Sequence, residues 1–161
     1  MGQNKLIKNE TNELLQLISF ELNGEVFGID IMVVQEIIRL VQITKVPNSP
    51  DFVDGVVNIR GKVIPVVDLR SRMGMPRKEH DNNTRIIVVE LSGKTSGFIV
   101  DAVNEVLRIP LSITEAPPEI AAAVNSEYIK SVGKLEGRLL ILIDLEKVLT
   151  KNEELELQSY N

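Results

Sequence analysis

The chain has 161 residues, 43% of them hydrophobic, with a net charge of −5, no cysteine, no tryptophan and one histidine. The lack of cysteine excludes a thiolate nucleophile, a disulfide and a zinc finger, and one histidine leaves too few ligands for a transition-metal site. The acidic balance without a basic block argues against nucleic acid or an anionic membrane as the main partner, and no apolar run reaches the ~18 residues of a membrane-spanning helix.

In chain order, the first twelve residues are polar, carry no signal-peptide core and are expected to be disordered. Stretches 17–22 and 26–31 read as strands joined by Asn23-Gly24, a strong hairpin signal. Residues 33–40 have apolar side chains at helical spacing and read as a short helix. A brief strand over 43–46 stops at Pro47, and Ser49-Pro50-Asp51 opens a turn. The segment 55–70 is the most informative. Its β-branched run 56–59 and the apolar run 63–67 flank the turn Arg60-Gly61-Lys62. The second run is apolar throughout, as in a strand buried on both faces, and Pro65 points to an edge or a bulge because it cannot donate to a ladder. Asp68 is placed to cap a helix over 69–73.

The second half repeats the first. Shifting residues 17–40 by 69 positions lands on 86–109 with 8 of 24 identical, among them Gly24/Gly93, Gly28/Gly97, Glu36/Glu105 and Arg39/Arg108. Shifting 56–69 by 76 lands on 132–145, with Gly61/Gly137, Asp68/Asp144 and Leu69/Leu145 identical. A duplicated unit of about 70 residues follows, each with about five short strands, which suggests small barrels. The expected division is a disordered tail over 1–13, a first barrel over 14–80, a second with a terminal helix over 81–150, and a polar tail over 151–161. The copies differ at Arg60, which becomes Glu136, and in an insertion around 118–125 that includes Ile120.

Catalytic chemistry finds little support. Asp68 and Asp144 sit between a strand and a helix in both copies, which reads as capping rather than as an acid–base pair. His80 lies in a polar loop without a readable triad, and no glycine run has phosphate-loop spacing. No enzyme activity and no cofactor are expected. A stand-alone barrel binding a small ligand or an oligonucleotide is the alternative class. Few aromatic residues are available to stack bases.

Val34-Gln35-Glu36-Ile37, with Asn58-Ile59-Arg60-Gly61 and then Pro65-Val66-Val67-Asp68-Leu69, resembles the CheW family of bacterial chemotaxis coupling proteins. The likeness runs over about residues 15–150, with Tyr128, Gly133 and 139–149 resembling the family's C-terminal portion. CheW-like domains also end the histidine kinase CheA and occur in CheV. With no kinase domain before the motif and no receiver after it, the free-standing form is expected. The resemblance implies a mostly β fold with a few short helices, built as two pseudo-symmetric SH3-like five-stranded barrels. It also implies a cytoplasmic adaptor without membrane insertion, recruited to membrane-associated receptor arrays. There it would join the cytoplasmic hairpin tip of a chemoreceptor to the regulatory domain of CheA. Residue by residue, the receptor-facing positions fall on Val34, Glu36, Gly55 and Arg60. Ile120 falls on a contact with the kinase, at a place where some members carry an aromatic residue.

Overall fold

The computed structural model describes residues 13–117 and 127–149, together with 153, 156 and 157. Its strands are β1 (Leu14–Leu22), β2 (Glu25–Asp30), β3 (Val34–Arg39), β4 (Val53–Ile59), β5 (Lys62–Asp68), β6 (Arg85–Leu91), β7 (Lys94–Val100), β8 (Ala102–Pro110), β9 (Thr114–Glu115), β10 (Ile129–Leu135) and β11 (Arg138–Ile143). One helical turn, α1 (Leu69–Arg72), follows β5, and short 3-10 turns follow β2, β8 and β11. As the repeat predicts, Asp68 accepts a hydrogen bond from the Arg70 amide at 3.1 Å, and Asp144 accepts one from the Glu146 amide at 3.0 Å.

The strands form two sheets, of order β8-β1-β2-β11-β10-β9 and β3-β6-β7-β5-β4. This is the mostly β architecture that the resemblance implies, in two sheets consistent with two barrels, one of them with six strands where five are expected. The pseudo-symmetry reaches the register. Leu17 faces Leu107 in one sheet and Ile86 faces Ile38 in the other, and these are repeat-equivalent pairs. In the parallel ladders, Gly28 faces Leu142 as Gly97 faces Val66. The strands do not sort by chain half. The hairpin β1–β2 pairs with strands of the second half, and β6–β7 pairs with β3 and β5 of the first. The units 14–80 and 81–150 therefore each supply strands to both sheets.

Burial on both faces explains the continuous apolar runs. Along β6, Ile86 and Val88 point into the interior of the five-stranded sheet, while Ile87 and Val89 point into the core shared with the other sheet. Along β1, Leu17 joins the interior of the six-stranded sheet, and Ile18 and Phe20 join the shared core, where Phe20 stacks on Phe27 at 5.8 Å. Each such side chain removed from water contributes about 1.5–3 kcal/mol.

Three local expectations change. Residues 34–39 form strand β3, not a helix: alternate side chains are half-buried, and the run pairs antiparallel with β6. Six residues with only three apolar side chains fit either period, and the neighbouring strand decides. Pro65 is not on an edge strand, because β5 lies between β7 and β4. Its pairing with β7 starts one residue later, at Val66, and a bulge interrupts the facing strand between Val53 and Gly55. The segment after 150 is not wholly a free polar tail, since Leu157 is buried in the shared core and Glu153 pairs with Arg72 at 2.6 Å.

Candidate functional site

Arg60 and Gly61 form the two-residue turn between β4 and β5, with φ of +51° and +82°. Positive φ at both positions gives a type I′ turn, which matches the twist of the flanking strands. The Asn58 side-chain oxygen accepts the Gly61 amide at 2.8 Å and holds the turn shut. The Arg60 side chain is thus projected from a rigid tip and remains 76% exposed.

Its guanidinium donates to Glu36 Oε2 at 2.8 Å. Glu36 occupies a half-buried position of β3, with its other oxygen, Oε1, buried and without a hydrogen-bond partner. Since β3 and β4 lie at opposite ends of the sheet order, this ion pair ties one end of the sheet to the turn at the other. An exposed pair of this kind adds only about 0–1 kcal/mol to folding. Its geometric effect is larger: it fixes the direction of a cation at the rim of the barrel.

Val34 opens the same strand and packs, half-buried, against the shared core. Gly55 is buried beneath the preceding loop, where Thr44 and Val56 exchange hydrogen bonds of 2.9 and 2.8 Å. Of the four positions that the resemblance singles out, the structure places Glu36 and Arg60 in direct contact and Val34 two residues from Glu36. It puts Gly55 under the loop, not at the surface. Ile120 lies outside the described residues.

The sequence reading missed neighbours of this site. Ile37 is more than a third exposed on β3, and Gln35 donates to Glu90 at 3.1 Å. The alternation along 34–39 would have put both on the outer phase had the run been read as a strand. Among the described residues, no group of three or more His, Cys, Asp or Glu is arranged to hold a metal ion, and no helix is long and apolar enough to cross a membrane.

The family model described as the CheW-like domain matches residues 16–153, nearly the whole described span. The chain belongs to the CheW-like domain family. Curated relatives include the chemotaxis protein CheW of Klebsiella aerogenes, 38% identical over 86% of this chain and 83% of its own length. The CheW of Rhizobium meliloti is 34% identical over 91% of this chain and 94% of its own length. Among solved structures, the scaffolding protein TtCheW of Thermoanaerobacter tengcongensis superposes with a TM-score of 0.79 at 35% identity, covering 88% of this chain and 91% of that one. In this CheW-like chain both the Glu36–Arg60 pair and the hairpin that presents it fall inside the matched span.

Proposed function

We propose that the chain is a non-enzymatic chemotaxis adaptor. It joins the cytoplasmic hairpin tip of a chemoreceptor to the regulatory domain of the histidine kinase CheA, in the cytoplasm at membrane-associated arrays. The family and the scaffolding relative support the general role. The observation that carries the receptor face is the Glu36–Arg60 pair: a guanidinium held on a rigid turn at a rim, beside half-buried Val34 and exposed Ile37. A helix of the receptor hairpin lays apolar side chains on the Val34 and Ile37 side, and Arg60 sets its orientation.

The test is a binding isotherm to a receptor-tip fragment beside a thermal melt. Arg60→Ala leaves the unfolding midpoint nearly unchanged, because the pair is exposed, yet weakens receptor binding at least about tenfold, as loss of an interfacial arginine does. Arg60→Lys restores only part of the affinity, since an ammonium lacks the planar fork. A large stability loss with unchanged affinity of the folded fraction refutes the receptor role.

The kinase face is proposed at Ile120. Ile120→Asp weakens binding to the CheA regulatory domain by about 2 kcal/mol or more and spares receptor binding, as a charge placed in a packed apolar contact does. Titrations against each partner check this; equal losses for both, with a lowered melting point, mean that Ile120 is core.

A further inference from the structure

A groove of about 520 Å³ opens at one end of the six-stranded sheet, floored by Leu17, Ile29 and Leu142. That volume is typical of a binding cleft. Three of the exposed large apolar side chains in the described structure line it: Leu14, Met32 and Leu111, at 55%, 84% and 38%. Isolated exposed apolar residues are ordinary, but three converging on one concave site form a patch that a partner covers. The rim is acidic. Glu13, Asp30, Asp144 and Glu146 surround it, opposed by Lys130. The occupant that fits is therefore short, apolar and flanked by cations.

The chain carries such a segment close at hand. Residues 5–8 read Lys-Leu-Ile-Lys. Residues 1–12 lie outside the described structure and join it at Glu13, itself part of the rim, whose carbonyl accepts the Leu111 amide at 2.8 Å. From that anchor, Ile7 is six residues away and can reach up to about 20 Å, enough to turn back over the groove. We propose that Lys5-Leu6-Ile7-Lys8 docks there, with Leu6 and Ile7 covering Leu14, Met32 and Leu111 and the two lysines facing Asp30, Asp144 and Glu146. The groove also includes Val33, the residue before Val34, so an occupied groove borders the proposed receptor face. The docking itself depends on neither partner.

Methyl NMR of the full-length chain tests this directly. In the double variant Leu6→Asp/Ile7→Asp, the Met32, Leu111 and Leu142 methyl signals shift, while those of Val63 and Leu139, outside the groove, stay in place. A synthetic peptide of residues 1–12 added to that variant returns the groove signals toward their original positions. The same peptide carrying Lys5→Glu and Lys8→Glu binds at least about threefold more weakly at low salt, and the difference shrinks at high salt, because exposed charges are screened. Groove signals identical in the original chain and the variant overturn the proposal. So do shifts that scale with protein concentration alongside a doubled mass, which would make a second copy the occupant.

Discussion

Gly55→Ala should destabilise the fold by about 3 kcal/mol, lowering the melting point by about 6–12 °C for a chain of this size. A Cβ on Gly55 would run into the Thr44 carbonyl oxygen and stand 2.7 Å from Ile43 Cγ2, at a backbone φ of +155°. The Thr44 oxygen cannot retreat, because it accepts the Val56 amide at 2.8 Å. Relief requires breaking that bridge and peeling residues 43–44 from β4. Gly61→Ala supplies the control. Its φ is +82° but nothing lies within 4 Å of the added carbon, so only backbone strain of about 1 kcal/mol is expected. Denaturant melts of the two variants separate steric overlap from conformational strain. Equal, small losses would show that the 43–44 loop yields easily. If the larger loss is found, weak partner binding by a Gly55 variant reflects a disturbed β4, not a lost surface contact.

Arg70→Met should cost about 3 kcal/mol, because it strands a carboxylate in a largely enclosed site. Arg70 Nε donates to both oxygens of Asp101, at 2.7 and 3.0 Å, and NH1 donates to the Pro76 carbonyl at 2.6 Å. The two side chains are only 11% and 15% exposed. Asp101 also accepts the Asn23 amide at 2.9 Å, so the cluster pins the β1–β2 turn, α1 and the end of β7 together. Removing both charges in Arg70→Met/Asp101→Leu should recover at least about half of the loss, since buried pairs are often replaceable by apolar packing. Denaturant unfolding of the single and double variants checks this; a single-variant loss under about 1 kcal/mol would mean that water reaches the stranded carboxylate. Burial pushes the Asp101 carboxyl up, but its hydrogen bonds from Arg70 and the Asn23 amide outweigh burial and hold it below the usual range. Its stabilising contribution is therefore complete above the unfolded value near 4 and fades as pH falls below that toward the lower folded value. Asp101→Asn should flatten this part of the acid unfolding curve.

Much of the molecule is legible from local chemistry. Asn23-Gly24, Arg60-Gly61 and Ser92-Gly93 all form turns with positive φ, because glycine accepts that region without a steric penalty. Asp68 and Asp144 cap where a strand gives way to a helical turn, because a short carboxylate reaches an amide two residues on. The duplication located equivalent strands and glycines, and the opposite charges of Arg60 and Glu136 singled out Arg60. Its partner Glu36, reached through the resemblance, lies at hydrogen-bond distance. These signals act over a few residues, or compare one stretch of chain with another.

What only the tertiary structure decided are choices between local solutions of equal merit. Residues 34–39 could wind or extend, and β6 alongside made them a strand. Either hairpin could complete its own half, yet β1–β2 joins β8–β11 of the second half and β6–β7 joins β3–β5 of the first. That exchange makes both hairpins two-faced, sharing Phe20, Val89 and Phe98 in one core between the sheets. Gly55 was legible as a glycine of the hairpin but not as the floor beneath Thr44, and nothing local marked Arg70 as the partner of Asp101, 31 residues away. In each case the energy belongs to a contact between segments distant in the chain. A residue's own neighbours in sequence carry no record of which distant strand will lie against it.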